Sequence, residues 1–435
     1  MTAPVGSRIG IGVDVGTSGV RAVALDAVGT RFATAAKALP APLRTAGGGV
    51  QQDPACWWQA VTAVLRSVAA SAALRQRPCR VWLGGTPATV PLAGGAGRPL
   101  GPALMYNDRS AADAAAQVAA AAPADSPALG VGSSLAKALH LLAAAAADAH
   151  RCHVLHQADW LTGCLLGRFG DSDWNNALKL GFDPAVERWP DWLAGLPLPA
   201  RALPKVHAPG LALGSIAPRA AEATGLPPDT LICAGTTDST AAVLATGASE
   251  PGDAVTSLGS TLVLKIIAEQ PVTAPDYGVY SHRLRDQWLV GGASNSGGAA
   301  LRAYFDDAAL VRLSAAIDPA QPSGLDYYPL PAAGERFPVH DPALMPRVTP
   351  RPPEDSRFLH GLLEGIARIE RDGYRLLGQL GAPQPTRVVS IGGGARNATW
   401  TAIRQRLLGI EVTPAAEQEA AVGAARLALR APADD

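Results

Sequence analysis

The sequence predicts an α/β protein of two domains, and three observations predict it. The chain has 435 residues, more than one ordinary core accommodates; two domains of roughly 200 residues each follow from size. Its beginning runs strand, strand, strand, helix, strand. Its second half repeats that theme, again with apolar alternation broken by a turn of glycine and hydroxyl residues.

The elements follow in order. Ile9, Ile11 and Val13 alternate, as do Val20, Ala22 and Ala24, and a third run lies at 31–35. Period-two runs separated by GTSG (16–19) and by the Asp26/Gly29 turn read as an antiparallel meander. Over 51–74, Pro54 marks a first helical turn, and Trp57, Val61, Val64, Leu65 and Val68 recur at helical spacing. Residues 80–83 return to strand. This order is that of a ribonuclease-H-like nucleotide-binding unit. In the second half, 231–235 and 254–265 read as strands around a helix at 238–247. Phe358, Leu362, Ile366, Ile369 and Leu376 make 356–380 an amphipathic helix. A buried strand at 388–394 enters a glycine turn, followed by helices at 398–408 and 418–430. The expected boundary lies near residue 240, giving domains 1–240 and 241–435. The Pro- and Gly-rich 321–353 stretch reads as a long loop serving as lid, binding loop or surface extension.

Composition excludes several classes. Net charge is zero and the pI about 7.1, so neither a nucleic acid nor an anionic membrane is an expected partner. Cys56, Cys79, Cys152, Cys164 and Cys233 form no CxxC and no zinc spacing, which suggests free thiols in a reducing compartment. Residues 1–8 are too short and polar for a signal peptide. The longest apolar tract, 135–147, carries Lys137 and His140 and falls short of a membrane span. These features predict a soluble cytoplasmic protein of unspecified oligomeric state.

Three turns and one aspartate carry the candidate chemistry. The first turn is Asp14 followed by Val15, Gly16, Thr17, Ser18 and Gly19. Glycine permits close approach of a phosphate, successive N–H groups form an anion nest, and hydroxyls add donors. Asp14 suits Mg²⁺ held through water. Alone, the motif reads equally well as an ordinary hairpin. The second turn, Gly259, Ser260 and Thr261, also reads as a plain β-turn until paired with the first. The third, Gly392, Gly393 and Gly394 with Asn397 and Trp400, offers bare backbone to a ribose, an amide to a purine edge and an indole to stack on it or wall the pocket. Its bland reading is a tight turn with Trp400 in the core. Asp238 stands at a helix start, where it is either an N-cap or the carboxylate that accepts a sugar hydroxyl proton. A helix N-terminus would keep its pKa low. Asn107, Asp108, Arg109, Lys137 and Lys179 divide evenly between site and structural roles. His282 and the tryptophans read as packing.

The strings GVDVGTSG (12–19), QQDP (51–54), MYNDR (105–109), QADWLTG (157–163), NNALKLGFDP (175–184), AGTTDS (234–239), SLGST (257–261), GGASNSGGA (291–299), IGGGARN (391–397) and EQEAAVGAARLA (417–428) occur in this order. Together they resemble the FGGY carbohydrate kinase family along almost the whole chain. SSLAK (133–137), GVYSH (278–282) and SGLDYYPLPAAGERFP (323–338) resemble its D-ribulokinase branch. The resemblance implies a fold of the actin/hexokinase/Hsp70 type, two ribonuclease-H-like domains with an interdomain cleft and a hinge near 238–250. It implies ATP and Mg²⁺ as cofactors and D-ribulose as the sugar, with another substrate of the family, D-xylulose, L-ribulose or a related polyol, as the nearest alternative. It further implies Asp238 as catalytic base and Asp14 near metal and sugar, with Thr17 beside it. Gly259 and Ser260 match the second phosphate loop, and Gly392, Gly393, Asn397 and Trp400 the adenosine pocket. At 84–90 the chain reads GGTPATV, where that branch is similar to DGTSGTV. Gly84 and Pro87 thus replace an aspartate and a serine, while Thr86 and Thr89 remain, with Thr86 expected to contact the sugar. A non-catalytic ATP- and sugar-binding sensor is the rival of a different class. An Hsp70-like chaperone ATPase, which shares the implied fold, is the third reading; the family motifs filling the chain count against it, since they leave a peptide-binding domain unaccounted for.

Overall fold

A computed structural model describes residues 8–74, 77–145 and 151–430. The reading of residues 1–8 lies outside these apart from Arg8, as does the end of the 135–147 tract. The chain divides into two units. One comprises Met1–Ala245 with Glu419–Asp435, the other Thr246–Gln418.

In unit 1, β1 (Ile9–Val15), β2 (Gly19–Leu25) and β3 (Arg31–Ala38) form the antiparallel meander. Helix α1 (Pro54–Ala69) starts at Asp53, whose carboxylate accepts from the Ala55 N–H, with Pro54 at its first position. It leads to β4 (Cys79–Gly85), parallel to β1. Then come α2 (Ser134–Ala145), α3 (Gln157–Leu166), β5 (Ala212–Ser215), β6 (Leu231–Cys233), β7 (Thr236–Thr237) and α4 (Asp238–Thr246). The sheet order is β5–β6–β4–β1–β2–β3, with β7 also paired to β4. Alternation sends Ile9, Ile11, Val13 and Val15 into a core with Trp57, Val61 and Leu65 of α1. Gly10, Gly12 and Asp14 occupy the other face.

Unit 2 opens with the hairpin β8 (Asp253–Leu258) and β9 (Leu262–Ala268) and continues through β10 (Tyr280–Leu284) and β11 (Gln287–Ser294). Helices α5 (Asp307–Ser314) and α6 (Asp355–Gln379) precede β12 (Arg387–Ile391), α7 (Ala398–Leu408) and β13 (Glu411–Pro414). The sheet order is β10–β11–β9–β8–β12–β13, with β12 parallel to β8. Phe358, Leu362, Ile366 and Ile369 of α6 enter the core, and Leu376 packs at its margin. The 321–353 stretch holds no helix or extended strand, yet it is packed in place. Leu325, Tyr327 and Phe337 join the core. Buried Glu364 accepts from the Ser323 N–H and hydroxyl. Buried Glu335 accepts from the Asn295 N–H and the Ser294 hydroxyl. A lid needs few buried contacts; this segment is a strap anchored by two buried carboxylates.

The last helix, α8 (Ala420–Arg430), corrects the expected domain division. It packs on β1, β2 and β4 of unit 1. A Cβ on Gly10 or Gly12 would overlap the Ala425 or Ala421 carbonyl, so these glycines are what lets the helix approach. A Cβ on Gly423 of α8 would likewise overlap the Ala241 carbonyl of α4. That packing carries the boundary past residue 240 to Ala245.

Candidate active site

Strand register brings the first group of candidates together. Asp14 on β1 pairs with Gly84 on β4, and Gly84 pairs with Thr236 on β7. Asp238 opens α4 two residues later, its Cα 3.8 Å from where a Cβ on Gly84 would lie. Asp14 is 15% exposed and stands 4.0 Å from the more open Arg21 guanidinium. Burial pushes its carboxyl up to about 6; Arg21 opposes the shift and Glu419 adds to it. Asp238 keeps some surface but is densely surrounded by protein. Burial first, and then the charge of Asp14, push it up to about 7, against the Ser239 N–H that donates to it. The low pKa expected from the helix end is therefore wrong. A helix terminus contributes about 0.3–1 kcal/mol, and desolvation plus a like charge outweigh it.

Two partly desolvated carboxylates, of which Asp14 has the exposed Arg21 guanidinium 4.0 Å away, suit a divalent cation. No group of three or more His, Cys, Asp or Glu forms a metal cage among the described residues. That donor set fits Mg²⁺, which keeps most of its waters and takes other ligands from phosphates. Asp14 would hold it through water.

The two hydroxyl turns are hairpin tips. Gly16 closes the first, its N–H donating to the Gly19 carbonyl at 3.0 Å. Among the described residues, no hydrogen bond engages the Thr17 or Ser18 hydroxyl. In unit 2, Gly259, Ser260 and Thr261 join β8 to β9. The N–H groups of Gly298 and Ala299 donate to the carbonyls of Gly259 and Ser260. Gly297, at φ +136°, lies so close that a Cβ would meet the Thr261 carbonyl carbon at 2.8 Å. Arg302 donates to the Ser260 hydroxyl at 3.0 Å. The GGASNSGGA string (291–299) thus cradles this tip, a task its residue types do not disclose in the sequence.

The third turn sits directly on the second tip. Gly392, at φ +86°, and Gly394 have Cβ positions 2.9 and 2.8 Å from Leu258 atoms, while the face of Gly393 is open. Two expectations fail here. Asn397 caps α7, its carbonyl oxygen accepting from the Trp400 N–H at 3.0 Å, and its NH₂ donates to the Ser314 hydroxyl of α5 at 2.8 Å. Trp400 is 2% exposed, lies under Gly394 and donates to the Leu363 carbonyl. Neither side chain is presented to a ligand. A cavity of about 390 Å³ adjoins the turn instead, lined by Arg396, Thr401, Gln405, Pro414 and Gln418 among others. Gln418 accepts from the Gly392 N–H at 2.8 Å.

Thr86 also differs from expectation. It is buried, and its N–H and hydroxyl donate to the Gln157 side-chain carbonyl at 3.0 and 2.9 Å, with Thr89 2.6 Å away. It anchors a turn and is no free sugar contact. Asp108 is likewise internal, accepting from the Val50 N–H at 2.6 Å. His282 is buried beside Lys265, and Trp57, Trp160, Trp174 and Trp288 are buried.

The comparisons with known proteins agree with this architecture. The profile of the FGGY family of carbohydrate kinases, N-terminal domain, matches residues 9–245, and that of the C-terminal domain matches 254–431. Xylulose kinase of Klebsiella pneumoniae is 27% identical over 96% of this chain and 89% of its own. That of Streptomyces rubiginosus is 28% identical over 95% and 86%. The crystal structure of xylulose kinase from Rhodospirillum rubrum superposes with a TM-score of 0.85 at 26% identity, over 97% of this chain and 89% of that one. These relatives are xylulose kinases and not D-ribulokinases, which corrects the finer likeness to that branch. No helix among the described residues is long and apolar enough to cross a membrane.

Proposed function

The chain belongs to the FGGY family of carbohydrate kinases, and on that premise we propose that it phosphorylates a ketopentose with ATP, xylulose ahead of D-ribulose. The observation that carries the reading is Asp238, held at the start of α4 beside Asp14 and pushed up to about 7. A general base works best with a pKa near the operating pH. Asp238 accepts the proton of the sugar's terminal hydroxyl as that oxygen bonds to the γ-phosphorus and the bond to ADP breaks. Within unit 1 the Thr17 and Ser18 hydroxyls suit phosphate, and within unit 2 the hairpin tip of Gly259, Ser260 and Thr261 does. The open Gly393 backbone and the adjoining cavity serve the adenosine. Mg²⁺, when bound near Asp14, supplies charge neutralisation to the phosphates. The names of the relatives support xylulose; the altered residues Gly84 and Pro87 weigh against D-ribulose.

The test is ADP release with Mg-ATP and xylulose, D-ribulose, L-ribulose, glycerol or no sugar. Release should depend on a ketopentose, most strongly on xylulose. Asp238→Asn should lower turnover by about 10²-fold or more, the scale of a lost general base. ATP binding without sugar-dependent release from any of these would overturn the reading.

A further inference from the structure

Lys137 lies in the first turn of α2 with no exposed surface. Its ammonium donates to three backbone carbonyls, Ala88 and Met105 at 2.8 Å and Tyr106 at 3.1 Å. All three donors of an ammonium group are thereby used on backbone. Ala88 stands at φ +56°, a region that disfavours any residue with a Cβ. The other end of the same turn is held by Gln157, which accepts from Thr86 and whose own N–H donates to the Thr89 carbonyl at 3.0 Å. The turn springs from Gly84 and Gly85, the register partners of Asp14, Thr236 and Thr237. A strained turn at the end of that strand is thus gripped from α2 and α3 by buried polar side chains.

We infer that Lys137 is a positioning residue for sugar recognition, clamping the Ala88 carbonyl so that the 86–89 turn keeps its shape beside the acid pair. The inference rests on the kinase reading above. A buried ammonium is costly, and its retention needs a reason beyond filling space. Burial pushes the Lys137 amine down to about 7; Asp108 opposes this, while Lys179 and Arg109 add to it. The clamp acts on unit 1 alone, where the sugar-facing acids lie. The adenosine turn belongs to unit 2.

The test compares Lys137→Met with the wild type in steady-state ADP release, varying sugar and ATP separately. The sugar KM should rise about tenfold or more, the scale of a lost charge-assisted hydrogen bond, with the ATP KM unchanged. Adding Ala88→Gly, which adopts positive φ without penalty, should recover part of the sugar KM. Parallel losses in sugar and ATP, or an unchanged sugar KM, would overturn the inference. Should Lys137→Met fail to fold, Lys137→Gln, which keeps two N–H donors, carries the same test. Failure of both to fold assigns the lysine to stability and also overturns it. A wild type without sugar-dependent release instead removes the kinase reading itself.

Discussion

β1 and β8 occupy the same place in their two sheets, each antiparallel to the next strand and parallel to a later one. Each carries an aspartate, and the two aspartates have opposite characters. Asp14 lies near the C-terminal end of β1, faces Asp238 and is pushed up to about 6. Asp253 begins β8 and meets Arg387 on the parallel neighbour β12, at 2.6 and 2.8 Å. That bidentate pair, with the N–H groups of Ser249 and Glu250, holds its carboxyl down to about 2. In open α/β sheets ligands gather at the carboxyl ends of strands. An acid left without a full cationic partner there is available for chemistry, and an acid paired at the other end holds the strands together.

This contrast predicts mutations that separate activity from stability. The largest effect is the loss of turnover in Asp238→Asn, with the fold intact by circular dichroism. Next, Arg387→Ala should cost about 2 kcal/mol in a denaturant melt, because it leaves the Asp253 carboxylate buried without its partner. The stabilisation from Asp253 is present above the usual carboxylate pKa. It fades as pH falls from about 4 towards 2, so the variant and wild type should converge in acid. The smallest effect has the opposite sign. Asp238 has a raised pKa, so the folded protein binds its proton more tightly than the unfolded chain does. Its ionisation costs stability as pH climbs from about 4 to about 7. Asp238→Asn should therefore stabilise the protein at pH 7 by about 1 kcal/mol after allowance for partial solvent screening, and the gain should vanish near pH 4. A variant less stable than wild type at neutral pH would break the comparison.

Much of the fold was legible because local signals agree. Pro54 announces α1, and apolar periodicity delimits α6. The placement of α8 was not, since periodicity reveals an apolar face without naming the sheet that covers it. Gly10 and Gly12 were the available signal. Two glycines on one face of a buried strand mean that a helix crosses close by. In the site, the hydroxyl turns were legible as motifs, and they do form hairpin tips. Asn397 and Trp400 misled because an amide at a helix start and an indole one turn on also describe a cap and a core residue. Thr86 misled because its partner Gln157 is 71 positions away. The Asp238 pKa misled because the helix end is local, whereas the burial that chiefly raises it, and the charge of Asp14 that adds to it, arise only once the strands are in register.

The proposed role of Asp238 is that of a base near neutrality, and the pH dependence of sugar-dependent kcat/KM tests it most directly. A base must be ionised, so the rate should rise with pH through a midpoint near 7. That midpoint should be absent from the residual activity of Asp238→Asn. A limb near pH 4, or one near 7 that persists in the variant, would contradict the assignment.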